Sequence, residues 1–306
     1  MKTENGLVVA LVSDTHGGSK FALLNPAVKL TDPDSGETWT PALNGFQKKL
    51  WDWYTKDIEQ VMKLAAGRPV VLIHVGDPTQ GNRFGKEMVS SNAADHVMIA
   101  VANLAPWLAH PNVGHVRHIV GTGLHEFNEG AASILIHQIV KATYPNVDSR
   151  VVYHALSRVG GVAFDLAHHG PHPGSRNWLR GNVLRLYTRS LMQDEIDAGK
   201  APPAFVIRGH YHVYTSEVVT LGEHETRAII LPSWQYPYEY VRKAGQSPAR
   251  VSFGMVAIEI VNGKPSEPHK FKRTIDHRTS EVLHEQGRQT GRGAAKRDRR
   301  AAHSRK

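Results

Sequence analysis

Apolar residues in this chain gather in short β-branched runs, each ending at a glycine or a small polar cluster, with stretches of helical period between them. Residues 6–12 (GLVVALV), 68–75, 116–121, 162–168 and 205–209 read as buried strands. Segments 46–64, 87–108, 131–142 and 175–198 carry apolar positions at helical spacing, the last weakened at its middle by Gly181. From residue 214 onward the period falls to two, over 214–221, 226–231 and 251–261. The early alternation implies a parallel sheet, and the later runs an antiparallel sheet packed on it. The expected fold class is therefore α/β: a sandwich of two sheets flanked by helices. No internal repeat is visible.

Metal-binding residue types follow the strands. Asp14 and His16 stand in SDTHGG, Asp77 in HVGDPTQG, His125 in GTGLHE, His168 and His169 in AHHG, and His210 and His212 in RGHYH. A parallel sheet would bring all five loops to one carboxyl edge, the usual ligand edge of an open α/β sheet. Residues two apart on an extended chain point the same way, so Asp14 and His16 can reach one ion together. Gly76 frees the backbone just before Asp77. Mixed imidazoles and carboxylates suit manganese, iron, nickel or zinc better than calcium or magnesium alone. Two ions about 3.5–4 Å apart, bridged by a carboxylate such as Asp77, can hold phosphate oxygens and an attacking water in line. Phosphoester hydrolysis is the implied chemistry. Each motif alone is a common turn or cap, and only the ordered set carries the inference. His74, His96, His115, His118, His137, His154 and His172 read as strand, helix or surface residues.

The ordered set resembles the calcineurin-like metallophosphoesterases, whose pattern is DxH, GD, GNH followed by Asp or Glu, a later His, then GHxH. The resemblance spans roughly residues 7–214 and implies a metallophosphoesterase-like fold, an α/β four-layer αββα sandwich of two mixed sheets flanked by helices. It places two divalent metal ions on Asp14, His16, Asp77, His168, His210 and His212, and makes His125 the acid that protonates the leaving oxygen. Where that family has Gly-Asn-His, this chain reads Gly121-Thr122-Gly123-Leu124-His125-Glu126. Thr122 replaces a ligating Asn amide with a poorer neutral ligand, so Thr122, Glu126 or water takes that place. This GTxxH form resembles bacteriophage-type members. His168 fits the family's His-x-Gly pattern and leaves His169 beside the substrate, although the two compete for one role. Tyr211, between the last two ligands, reads as a packing residue.

Asn82, Arg176 and Arg180 are candidate phosphate contacts, with helix-surface solvation the competing reading for the arginines. An insertion over 17–44, with a turn signal at 32–36, reads either as a loop over the site entrance or as a peripheral excursion. A second, near 232–250, opens with Trp234, Tyr236, Tyr238 and Tyr240, rings that either stack on bases or pack on their own domain.

At 306 residues and 41% apolar content the chain supports one sizeable domain, expected over 1–285. It contains no cysteine, which excludes disulfides and zinc–cysteine sites. The first apolar stretch is too short for a signal peptide or a membrane span, so a soluble, cytoplasmic protein without membrane attachment is expected. The net charge of +9 is concentrated in 286–306, which holds eight Lys or Arg against Asp298. That basic segment is expected to be disordered when free, and either binds nucleic acid through counterion release or serves as a solubilising end.

The reading that follows is a dinuclear metal-dependent phosphodiesterase or nuclease acting on nucleic acid or nucleotides. A phosphomonoesterase or protein phosphatase is the alternative enzyme. A catalytically weak binding or scaffold protein on the same fold, motivated by Thr122, is the alternative of another class.

Overall fold

The apolar runs pair into two large sheets, and the metal-binding motifs are divided between them. The structure, a computed structural model, describes residues 6–83, 85–173, 179, 181–237, 250–276, 278 and 280–281. In chain order the elements are β1 (Gly6–Val12), β2 (Leu30–Thr31), β3 (Thr38–Trp39), α1 (Gly45–Ala65), β4 (Val70–Val75), α2 (Ala93–Leu108), β5 (Val113–Ile119), α3 (Ala131–Thr143), β6 (Asp148–Val152), β7 (His154–Val159), β8 (Val162–Ala167), α4 (Asn182–Asp197), β9 (Phe205–Arg208), β10 (Thr215–Leu221), β11 (His224–Ile230), β12 (Arg250–Val261), β13 (Lys264–Pro265) and β14 (His269–Asp276).

The first sheet runs β13-β12-β1-β4-β5-β6, with β14 also paired to β12. Strands β1, β4, β5 and β6 are parallel, and β12 is antiparallel to β1. The second sheet runs β10-β11-β9-β8-β7, parallel through β11, β9 and β8 and antiparallel at both edges. Two expectations are corrected here. Strands β8 and β9 belong to the second sheet, so the five loops do not share one parallel sheet. Strand β12 belongs to the first sheet, because its run is apolar on both faces: Phe253, Met255 and Ala257 meet the helices, while Val256, Ile258 and Ile260 meet the second sheet.

Burial sets the layers. Val9, Leu11, Ile73 and Val75 face Phe164, Leu166, Phe205 and Ile207 between the sheets. The other face of the first sheet packs on α1, α2 and α3 through Tyr54, Ile58, Leu104, Trp107 and Ile136. Leu184 of α4 covers Val206, Ala228 and Ile230 on the outside of the second sheet. The result is the αββα sandwich. Because β1 and β4 are buried on both faces, a one-residue slip would exchange every contact on each side, which fixes the register that aims their terminal loops.

Helix boundaries follow local chemistry. Helix α1 starts at a capping box in which Asn44 accepts from the Gln47 backbone and Gln47 reaches back to the Asn44 N–H. Helix α2 begins at Ala93, later than its periodicity suggests, because Asn92 caps the Ala94 N–H. Gly181, at φ +90°, is the N-cap of α4 and not a weak point within it.

Candidate metal centre

The motif loops continue the backbone pairing of the strands that deliver them. Past the ends of β1 and β4, Asp14 N–H donates to Gly76 O, His16 N–H to Asp77 O and Gly17 N–H to Pro78 O. The β9 loop joins from the second sheet, with Gly209 N–H donating to His168 O. Asp14, His16, Asp77, His210 and His212 all sit at positive φ, between 43° and 74°. Non-glycine residues adopt this region rarely and at a cost of about 1–3 kcal/mol each, and such residues cluster at functional sites. Here the strain turns five candidate ligands inward.

Glycines make room for this crowding. A Cβ on Gly121 would lie 2.2 Å from Asp77 Oδ1, and one on Gly76 2.2 Å from His168 Nδ1. A Cβ on Gly209 would lie 2.3 Å from Ser13 Oγ. The motif glycines are therefore required sterically.

The side chains converge in overlapping sets. Asp14, His16 and His212 form one; His168, His169 and His210 another; Asp14, Asp77 and His168 a third; His16, Asp77 and His125 a fourth; within each, the ligand atoms lie within 4.8 Å of one another. In the first, His16 Nε2 is 3.1 Å from His212 Nε2, His212 Nε2 is 3.1 Å from Asp14 Oδ1, and His16 Nε2 is 3.7 Å from that oxygen. In the third, His168 Nε2 lies 3.1 Å from Asp77 Oδ2. Asp77 shares one set with His168 and another with His16 and His125, so it touches both ends of the cluster.

Backbone carbonyls fix two imidazoles. His168 Nδ1–H donates to Val75 O at 2.7 Å, and His125 Nδ1–H donates to Gln80 O at 2.7 Å. A carbonyl only accepts, so each ring turns its Nε2 toward the site, that of His168 onto Asp77 Oδ2. The Thr122 hydroxyl sits among Asp77 Oδ2 at 3.2 Å, His210 Nδ1 at 3.1 Å, His169 Nε2 at 3.3 Å and His168 Nε2 at 3.4 Å. One hydroxyl cannot satisfy four partners, but a cation among them would relieve the competition. Glu126 is turned away: its buried carboxylate accepts from the Gly121 N–H and from the Ser133 N–H and hydroxyl. The structure thus leaves Thr122, not Glu126, facing the cluster. Just beyond, Phe127, Asn128, Glu129 and Gly130 form a left-handed turn, which the Tyr153 hydroxyl clamps at Glu129 O.

Burial and charge oppose each other here. Burial disfavours ionised Asp14 and Asp77, yet the imidazoles around them, His212 and His16 at Asp14 and His168 at Asp77, hold both well below the usual carboxylate range. Burial would also keep His168 neutral, but Asp77 and Asp14 draw a proton onto it and raise it to about 9. His16 is pushed down to about 3 by burial and by His125, and His210 to about 4 by burial and by His168. Two ionised, buried carboxylates face one protonated imidazole, His168, with His16 and His210 neutral beside them, and this excess of negative charge favours a cation that would take the place of the His168 proton. The donor set fits a divalent cation on spacing as well, since atoms 3.1 to 3.7 Å apart are placed as neighbouring ligands with bonds of about 2.0–2.2 Å. The orphaned, buried His16 Nδ1 shows that this crowding is not arranged for hydrogen bonding alone.

The remaining candidates fall as follows. His169 is exposed beside Thr122, and Asn82 is exposed on the turn after Gly81. Arg176, Arg180, Tyr238, Tyr240 and the basic segment 286–306 lie outside the described residues. Trp234 and Tyr236 are buried against Tyr54 and Phe46, which removes them from base stacking. Tyr211 packs against the α4 side of the second sheet, its hydroxyl donating to Gly170 O. The 17–44 segment packs on α2 through Leu24, Val28, Leu30 and Ile99, with Asn25 bonded to Asn103 and Ala102. Sequence reasoning missed Ser13, 2.5 Å from Asp14 Oδ2 and 2.6 Å from Val75 O, and Gln80, whose carbonyl orients His125. Their place inside two of the motifs was the available signal. Among the described residues, no helix is long and apolar enough to cross a membrane.

No family model and no curated protein sequence matches the chain. Among solved structures, the sulfate thiohydrolase SoxB of Thermus thermophilus, in complex with glycerol, is 12% identical with a TM-score of 0.39 over 88% of this chain, which spans 56% of that protein's length. A metallophosphoesterase from Sphaerobacter thermophilus is 11% identical with a TM-score of 0.32, covering 86% of this chain and 87% of that one. At these values the functional reading rests on the chain's own residues.

Proposed function

We propose that this chain is a dinuclear metal-dependent phosphoester hydrolase, and that its substrate is a phosphodiester of nucleic acid or nucleotide type. The observation that carries the reading is the convergence of two buried carboxylates with Thr122 and six histidines at the facing ends of two sheets. Asp14, His16 and His212 would hold one ion, and His168, His210 and Thr122 the other, with Asp77 shared. Bound there, manganese, iron, nickel or zinc supplies positive charge for the phosphoryl oxygens and acidifies the attacking water. The protein's own part is orientation and proton delivery. With Nδ1–H tied to Gln80 O, His125 presents Nε2 to the site and, when protonated, gives that proton to the departing oxygen as the new P–O bond forms and the ester bond breaks. Exposed His169, beside Thr122, can meet substrate oxygens, and exposed Asn82, two residues after Gln80, is a candidate for the same part. The basic segment 286–306 supplies eight cationic side chains for a polyanion.

The test is hydrolysis of bis-p-nitrophenyl phosphate and p-nitrophenyl phosphate by metal-stripped protein resupplied with manganese, nickel, zinc or magnesium. Preference for the diester is expected. Preference for the monoester would replace this reading with a phosphatase, and no turnover despite stoichiometric metal would replace it with a binding protein.

A further inference from the structure

Strand β14 alternates strictly in burial. Phe271, Arg273 and Ile275 face the helices, where Arg273 pairs with buried Asp57, while Lys270, Lys272 and Thr274 are exposed on the opposite face. The lysine face lies on the side where the second sheet packs, since Lys270 stands opposite Val256 in the register. There both ammonium groups approach one ring: Lys270 Nζ is 5.7 Å and Lys272 Nζ 5.2 Å from the centroid of Tyr214, two residues after His212. Cations over an aromatic face are held loosely in position without losing their charge.

Register locates these lysines relative to the metal centre. Leu11 pairs with Val256, and Lys272 pairs with Gly254, two residues further along β12. Lys272 is therefore level with Ser13, two strand spacings away, on the order of 10 Å from Asp14. The carboxylates along this edge are engaged elsewhere: Asp276, on the lysine face, with Arg278, Glu267 with Arg227, and Glu259, on the helix-side face, with Arg68 and His269. Among the described residues, Lys270 and Lys272 take part in no ion pair. They stand two residues apart on an extended strand, so their charges repeat every 6–7 Å or so, a spacing suited to a phosphodiester chain.

Resting on the hydrolase reading above, we infer that Lys270 and Lys272, ordered by Tyr214, form a rim site that binds the backbone of a nucleic acid strand beside the reacting phosphate. A small diester is too short to reach it. A strand bound at both places is held in line along the rim, with backbone contacts that carry no base preference.

The experiment compares the full-length protein with its Lys270→Gln/Lys272→Gln variant. Two quantities are read: the ratio of turnover on a single-stranded 20-mer DNA to turnover on bis-p-nitrophenyl phosphate, and binding of the labelled 20-mer by anisotropy across a salt series. The expected result is at least a five-fold fall in the ratio, and a log–log salt slope shallower by about 1.4, since each lost phosphate contact on a single strand removes about 0.7. Lys270→Glu/Lys272→Glu should move both readouts further the same way. An unchanged ratio and slope, in a variant that melts like the parent, would overturn the rim site and leave the hydrolase standing. So would a parent that cleaves the small diester but fails to bind the 20-mer. A parent that cleaves neither substrate would remove the hydrolase reading, while the salt slope would still decide the rim site.

Discussion

The cluster has a sealed floor and an open rim, and the two are built differently. Asp14, His16, Asp77 and His168 are at most 1% exposed, whereas His210 and His212 are partly open and His169 is exposed. The floor is fixed by backbone: paired loops and glycines that leave no room for a Cβ, whereas positive φ angles occur in both, at Asp14, His16 and Asp77 below and at His210 and His212 above. The rim is fixed by side chains meeting side chains, with Thr122 at the centre. The comparison suggests a division of labour in which the floor fixes where ions lie and the rim adjusts what they meet.

Breaking the floor should have the largest effect. Asp77→Ala is expected to remove metal and activity together, with turnover falling by more than the roughly 10²-fold that loss of a ligand's supporting partner can cost, as read by metal analysis alongside diester hydrolysis; full activity in that variant would sink the dinuclear reading. His125→Ala, between floor and rim, should lower turnover by about 10²–10⁴-fold with both ions retained, most strongly for poor leaving groups. Loss of an ion instead would make His125 a ligand. Gly121→Ala forces a methyl against Asp77 and should cost about 1–3 kcal/mol by urea denaturation, together with weaker metal binding. Unaltered stability would mean that the loop yields more easily than its contacts suggest.

Thr122→Asn sharpens the comparison at the rim. It should tighten only one of the two ions in a calorimetric titration, by up to about ten-fold, and a large gain in turnover would identify the parent site as crippled. The smallest effect lies away from the site. Burial, aided by His74, His137 and Arg117, pushes His118 down to about 3. Its folded pKa is below its unfolded one, so its contribution to stability is complete above about pH 6.5 and declines as pH falls from there toward 3. In His118→Gln the urea midpoint should depend less steeply on pH over that window, and an identical slope would reject the assignment.

Much of this was legible in the sequence for a physical reason. Ligands at strand ends follow apolar runs whose period is visible, and glycines beside them mark backbone crowding, so the five motifs and their order could be read directly. Sheet membership was not legible. Strands β8 and β9 have the same buried, parallel character as β1 and β4, and nothing local records which sheet they join. The role of Glu126 was hidden because a buried carboxylate satisfied by Gly121 and Ser133 looks, in sequence, like a potential ligand. The positive φ angles at Asp14, His16 and His212 gave no glycine signal, being imposed by tertiary contacts on side chains that function requires. For Trp234 and Tyr236 the choice between stacking on bases and packing on the domain was not legible locally, and the structure buries both against the helix side of the core.

The division of the motifs between two sheets also bears on how the chain holds together. Asp14 and His212 are 198 residues apart and touch only where the sheets meet. An ion ligated by both would act as a cross-link over most of the chain, closing a long loop in a protein that has no cysteine with which to do so. Such an ion would be a clasp between the two halves of the sandwich, and withdrawing it by chelation should loosen the seam between the sheets before it loosens either sheet.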